Sequence, residues 1–194
     1  MTTLDLKQTQ ISSAIDLFSK GEINQALDAV QDLIKDYPNE PVLFNIRGAC
    51  YADLGQLDVA VTNYKEAITI KPDYAKAHFN LAGSLHDLGQ LETAVQSYQK
   101  TIEIEPNYAE AYNNLGNVFQ ELEQGDSAVQ SYKRALEIKP DYVVAQYSLG
   151  NTLMELGQLD EAVKAYKAAL KLKPDFVEAI NNLGITFFKL HQLD

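Results

Sequence analysis

The chain has 194 residues, with 27 acidic against 16 basic side chains, a net charge of −11 and a hydrophobic fraction of 46%. Binding to a phosphate backbone needs a basic stripe, so this charge excludes nucleic acid as the main partner and speaks equally against an anionic membrane surface. No stretch is long and apolar enough to span a bilayer, and the opening MTTLDLKQTQ lacks the basic-then-apolar order of a secretory signal; the expectation is a cytoplasmic protein.

Taken in chain order, the first segment, 7–40, reads as a divergent helical pair. Its first helix is polar (Gln8, Gln10, Ser12, Ser13), as suits a cap facing water. Pro38 then opens a series: Pro38, Pro72, Pro106, Pro140 and Pro174 stand 34 residues apart, and the text between them repeats. Such a period marks an array of one supersecondary unit. Four good units cover 41–74, 75–108, 109–142 and 143–176, and a half unit follows at 177–194, about five and a half repeats in one array over 1–194. Unit positions are numbered 1 to 34, with the proline at 32.

Each unit predicts two amphipathic helices. A small residue stands at position 8 (Gly48, Ala82, Gly116, Gly150) and alanine at position 20 (Ala60, Ala94, Ala128, Ala162), where two helices come close. Larger apolar residues recur at positions 11, 24, 28 and 30, as in Tyr51, Tyr64, Ile68 and Ile70, spaced to share a helical face. Gly55, Gly89 and Gly157 mark the turn at position 15, where glycine takes the left-handed conformation without a Cβ penalty. Glu123 breaks that pattern, and Gly125, two residues on, is the alternative place for the reversal. Asp58, Glu92, Asp126 and Asp160 are expected to open the second helix, complementing its dipole and, as Asp, capping its amides. Asp73, Asn107, Asp141 and Asp175 are expected to start the next first helix, with Asn107–Glu110 and Asp175–Glu178 at capping-box spacing.

Leu-Gly at positions 7 and 8, an aromatic or leucine at 11, Ala at 20, Tyr at 24, Ala at 27 and Pro at 32, repeated at this period, resemble the tetratricopeptide repeat (TPR) family. Arg47 and Ser13 depart from it at position 7, and Thr101 and Leu33 at position 27. The resemblance implies an all-α fold, a right-handed superhelical solenoid of helix-turn-helix units whose first helices line a concave groove through positions 2, 5, 6, 9, 12 and 13.

Nothing in the chain reads as an active site, and neither a cofactor nor a metal site is expected. No Ser/His/Asp set, CxxC pair or GxxxxGK loop appears. His78, at a packing position, reads as a satisfied interior histidine and His86 as a groove residue, while the carboxylates spread at repeat spacing like a solvated face. The single cysteine, Cys50, cannot form an internal disulfide and reads as a buried structural thiol.

Carried over residue by residue, the family's groove positions give Phe79, Asn80, Asn113, Asn114, Asn117, Tyr147, Asn151, Met154 and Asn182 as the candidate peptide-binding wall. An asparagine amide donates and accepts at once, so a row of them can hold a peptide main chain of any sequence. Asn80, Asn114 and Asn182 resemble the asparagine ladder of the O-linked N-acetylglucosamine transferases, interrupted at Ile46 and Ser148; the other reading is that Asn-Leu-Gly is ordinary repeat text. Position 13 is acidic in four units (Asp53, Asp87, Glu121, Glu155), which suits a ligand with Lys or Arg and spaced apolar side chains, or serves only solubility. A clamp for acidic C-terminal carboxylates is not expected, because position 5 lacks lysine and Lys76 stands alone at position 2.

The function expected is therefore a non-catalytic interaction module binding a protein segment in its groove, a scaffold or adaptor. An alternative is the N-terminal substrate-recruiting arm of a larger enzyme, such as a glycosyltransferase, with the polypeptide continuing beyond Asp194. A third is a scaffold that self-associates through its C-terminal end, where Leu183 and Phe187 await a covering helix.

Overall fold

The computed structural model describes residues 3–191, with side chains from Leu6 onward; the ends of the expected array, 1–2 and 192–194, lie outside the described residues. Among these the chain is all-helical, with eleven helices: α1 (Thr3–Ser19), α2 (Ile23–Asp36), α3 (Pro41–Asp53), α4 (Leu57–Ile70), α5 (Ala75–Asp87), α6 (Leu91–Ile104), α7 (Ala109–Glu121), α8 (Gly125–Ile138), α9 (Val143–Glu155), α10 (Leu159–Leu172) and α11 (Val177–His191). They group into two compact units, 1–104 with α1–α6 and 105–194 with α7–α11.

In the first unit α1–α6 form three helical hairpins. Ile11, Ala14, Ala26, Val30, Leu33, Leu43, Ile46 and Cys50 close one core cluster, and Phe44, Ala67 and Ala77 another. In the second unit α7–α10 form two hairpins and α11 packs on α10 and α9. Its core holds Val129, Tyr132, Leu149, Leu153, Tyr166 and the alanines Ala128, Ala162, Ala165 and Ala179. The position-20 alanines are all fully buried, since any larger side chain would push the helix pair apart. Thr101 takes the position-27 alanine's place with 0% exposure by returning its hydroxyl to the Ser97 carbonyl at 3.0 Å.

The small residue at position 8 has a definite partner. A Cβ built on Gly48, Gly116 or Gly150 would stand 2.6 Å from the Cε1 atom of Tyr64, Tyr132 or Tyr166, the position-24 ring of the same hairpin. Glycine is thus the seat that lets the tyrosine lie flat against the first helix, with exposures of 2%, 0% and 0%. Where position 8 is Ala82, Tyr98 is still buried and meets Phe79 edge to face, centroids 5.8 Å apart.

The joints differ in part from the sequence expectation. Gly55, Gly89 and Gly157 have φ of 73°, 71° and 74°, as expected of the reversal. Glu123, however, takes that conformation itself, with φ 59°. Its N–H bonds to the Gln120 carbonyl at 3.0 Å and the Gln124 N–H to the Phe119 carbonyl at 2.8 Å, as Gly55 and Gln56 do with Ala52 and Tyr51. Gly125 does not make the turn; it is the first residue of α8, and a Cβ there would stand 2.9 Å from Leu156 Cδ2.

The caps also shift by a residue or two. The N-cap positions of α4, α8 and α10 are Gln56, Gln124 and Gln158, none with a side-chain cap bond, so Asp58, Asp126 and Asp160 act within the first turn, on the dipole, rather than as caps. Likewise Tyr74, Tyr108 and Tyr142 precede α5, α7 and α9, again without side-chain cap bonds. Asp73 belongs to the turn, where the Tyr74 N–H closes on the Lys71 carbonyl at 3.1 Å. The expected Asn107–Glu110 capping box therefore does not form: Asn107 lies one residue before the cap of α7.

Candidate functional site

On the first helices α3, α7 and α9 the position-8 glycine meets the tyrosine ring of the second helix. The resemblance implies that positions 5, 6, 9 and 12 form the adjoining side. In the first unit this side of α3 and α5 carries Asn45 and Asn80, and Asn80 Nδ2 donates to Asn45 Oδ1 at 3.0 Å. Phe79, next to Asn80, packs on Tyr98 and has the Lys76 ammonium 5.1 Å from its ring centroid. Arg47, which replaces the family leucine, donates to Asn63 and to Glu66, and lies over Phe44 at 5.0 Å.

In the second unit the same side is a connected polar network. The Tyr132 hydroxyl donates to Asn117 Oδ1 at 2.7 Å, and Tyr166 to Asn151 Oδ1 at 2.8 Å. Asn182 on α11 donates to the same Asn151 oxygen at 2.9 Å and lies 3.2 Å from the Tyr147 hydroxyl. Met154 Sδ accepts from Thr186 at 3.4 Å, and Gln120 Nε2 donates to the Glu155 carboxylate at 3.2 Å. Tyr147 is walled by Phe176, centroids 4.8 Å apart, and by Tyr166 at 6.1 Å.

These bonds have a chemical consequence. The tyrosine hydroxyls occupy the carbonyl oxygens of Asn117 and Asn151, and neither Nδ2 group has a hydrogen-bond partner among the described residues. Both side chains are half-buried. A held amide with unused N–H groups is a donor for a carbonyl, and it has already lost its rotamer freedom before any ligand arrives.

Of the nine expected wall residues, Asn151, Asn182, Tyr147 and Met154 are brought into one network, and Asn117 into a neighbouring one with Gln120 and Glu155. Asn113 is placed differently, at 3% exposure, inside the wall rather than on it. Its Nδ2 donates to Asn114 Oδ1 at 3.1 Å, while its own Oδ1 is buried without a partner. Asn114 is half-buried and stands over it. Asn80 and Phe79 belong to the first unit and form their own cluster.

The sequence reading missed the hydroxyls of Tyr132 and Tyr166 as members of the site. Their repetition at position 24 was the available signal, and it was spent on packing. Burial pushes the Tyr166 phenol up to about 12 and the Tyr132 phenol higher still, so both remain O–H donors throughout the physiological range.

Cys50 has 0% exposure and its thiol is pushed up to about 11 by burial and then by the nearby Asp53 charge, the state of an inert structural cysteine. His78 is half-buried and its Nε2 donates to the Pro72 carbonyl at 2.9 Å. Among the described residues no helix is long and apolar enough to cross a membrane, and no three His, Cys, Asp or Glu side chains converge on a common point.

Hairpins of fixed length, a glycine seat under a buried tyrosine and a side of unused amide donors define an all-α solenoid repeat. The chain belongs to the TPR repeat family. The family model matches residues 48–86, 84–123 and 150–190, more than half of the chain, and two tetratricopeptide repeat models match 109–142 and 131–164. A solved structure of MamA is similar at a TM-score of 0.77 and 27% identity, covering 85% of this chain and 96% of that one. The peroxisomal targeting signal receptor of Saccharomyces cerevisiae is 25% identical over 84 residues, 43% of this chain and 14% of the receptor. Hsp70-Hsp90 organizing protein 2 of Arabidopsis thaliana is 37% identical over 59 residues, 30% of this chain and 10% of that protein. The chain thus matches a small part of the length of these two relatives.

Proposed function

We propose that this chain is a non-catalytic interaction module that holds a protein segment along the first-helix side and so brings two proteins together. The observation that carries the reading is the pair of asparagines, Asn117 and Asn151, held by buried tyrosine hydroxyls with their amide donors unused. A main-chain carbonyl is the acceptor every peptide offers, whatever its sequence, and Tyr147 and Met154 add apolar spots beside the donors. The names of the two relatives, a targeting signal receptor and an Hsp70-Hsp90 organizing protein, support a binding role. The acidic row Asp53, Asp87, Glu121 and Glu155 favours a ligand with Lys or Arg over an acidic one.

A second reading shares the same verb. The asparagine run of Asn80, Asn114 and Asn182 is like that lining the repeats of O-linked N-acetylglucosamine transferases, which makes a substrate-recruiting arm of a larger transferase the alternative at the level of a whole protein. Both readings are tested by the same variant. Replacing Asn114 and Asn117 together with alanine should weaken capture of basic, apolar-spaced peptides on an array while the helical circular dichroism stays unchanged. Undiminished capture by that variant would remove this side of the helices as the binding surface.

A further inference from the structure

We propose that the buried Asn113 is a positioning residue: it holds the oxygen of Asn114 and so makes Asn114 the asparagine of the ladder whose amide a bound segment receives, while its own carbonyl goes unpaired. The inference rests on the binding of a protein segment proposed above and sets apart one ladder asparagine from the other two. Asn182 uses its amide inside the wall, donating to Asn151 Oδ1 at 2.9 Å and lying 3.2 Å from the Tyr147 hydroxyl. Asn80 likewise donates to Asn45 Oδ1 at 3.0 Å. Asn80 to Asn45 and Asn182 to Tyr147 both run from position 6 back to position 5 of the preceding unit, so these two asparagines tie neighbouring first helices together. Asn114 does the reverse. Its Oδ1 accepts from Asn113 Nδ2 at 3.1 Å, and its own Nδ2 has no partner among the described residues. An amide fixed through its oxygen, with both N–H groups unused, is a donor ordered before any ligand arrives.

Asn113 is 3% exposed, and its Oδ1 is the one buried side-chain polar atom without a partner among the described residues. The other two rungs state where that partner is missing. A donor would come from position 6 of α9, and the residue there is Ser148, whose side chain is shorter than the asparagine that serves Asn45 and Tyr147. A buried carbonyl with no donor destabilises the fold, and its presence calls for a reason other than stability. Packing does not require it, because position 5 elsewhere is filled by the rings of Phe79 and Tyr147. What asparagine adds at this place is the Nδ2 group that ends on Asn114.

The test is Asn113→Leu, a side chain of the same branched shape, in the intact chain. Affinity is read by anisotropy of fluorescent peptides bearing Lys or Arg between Leu or Phe, and stability by urea unfolding. The unfolding midpoint should hold or rise, since the unpaired carbonyl is gone. Binding should weaken about two- to tenfold, since the ligand must then order Asn114 itself. A residue that only packs gives no such pair of opposite effects. In the Asn114→Ala background Asn113→Leu should cause no further loss of binding, as for a residue that acts through the other. Ser148→Asn, which supplies the absent donor, should raise the midpoint. A midpoint lowered by either variant, or losses that simply add in the double variant, would overturn the proposal. Binding by Asn113→Leu equal to that of the parent chain, where Asn114→Ala binds more weakly, would overturn it and leave the proposed function standing. Undiminished binding by Asn114→Ala would remove both.

Discussion

At the level of single residues, the molecule separates positions that are constrained by space from those constrained by backbone. Gly150 is of the first kind. Its helical conformation is open to any residue, but a Cβ there runs into the Tyr166 ring at 2.6 Å. Gly150→Val should cost about 1–3 kcal/mol, the usual range for overpacking a closed site, and urea unfolding would show it as a lower midpoint at unchanged slope. Glu123 is of the second kind, an L-residue held at φ 59° with its side chain exposed. Glu123→Gly relieves that strain and should stabilise the chain by about 1 kcal/mol, less the extra entropy glycine carries when unfolded. Thermal unfolding of the two variants side by side would give opposite signs; a destabilised Glu123→Gly would mean that its side chain contributes more than its backbone costs.

Among the elements, the tyrosine at position 24 joins two functions that sequence patterns treat apart. Its ring packs on the position-8 glycine, and its hydroxyl fixes the asparagine next to it in the first helix. Tyr132→Phe keeps the ring and removes the bond to Asn117. The loss to stability should be about 1 kcal/mol, that of one hydrogen bond. Capture of a peptide should fall further than stability does, because Asn117 then spends binding free energy on being ordered. Comparing the unfolding midpoint with peptide affinity for this one variant separates the two roles. Equal effects on both would leave the hydroxyl as a packing detail.

Across the whole molecule, alkaline pH is the condition that acts on many units at once. Burial raises the thiol of Cys50 to about 11 and the phenols of Tyr108 and Tyr166 to about 12, and lifts Tyr64 and Tyr132 further. Each group is neutral when protonated and ionises more readily in the unfolded chain. Its contribution is thus intact below the unfolded value of about 9 to 10 and is lost as pH rises through the folded value. Stability measured by urea titration should therefore fall steadily from about pH 9.5 upward. An unfolding midpoint that stays constant from pH 9 to about pH 11 would contradict it. The net charge of −11 acts in the same direction by self-repulsion, and added salt should soften that part alone.

How much could be read in advance depended on whether a residue answers to its neighbours in sequence or to those in space. The 34-residue proline period, the left-handed glycines and the buried alanines at position 20 are short-range or strictly periodic demands, and they were legible. The helix starts were not. Asp73 and Asn107 are good capping residues by type, yet the turn after each proline already closes between Lys71 and Tyr74 or Glu105 and Tyr108, which leaves a tyrosine at the cap. For the same reason Glu123, not Gly125, makes its turn: the loop length fixes which residue reverses the chain, and strain follows from it.

The amino-acid sequence by itself determined the repeat, its helical hairpins and the family to which the chain belongs, because a pattern repeated at one period needs no tertiary information to be recognised. Only the tertiary structure decided which asparagines are held by a tyrosine hydroxyl and that Asn113 is buried where its neighbour Asn114 is not. Those properties depend on where a hydroxyl or a ring from another helix arrives, and that distance is set by packing across the hairpin rather than by any spacing along the chain.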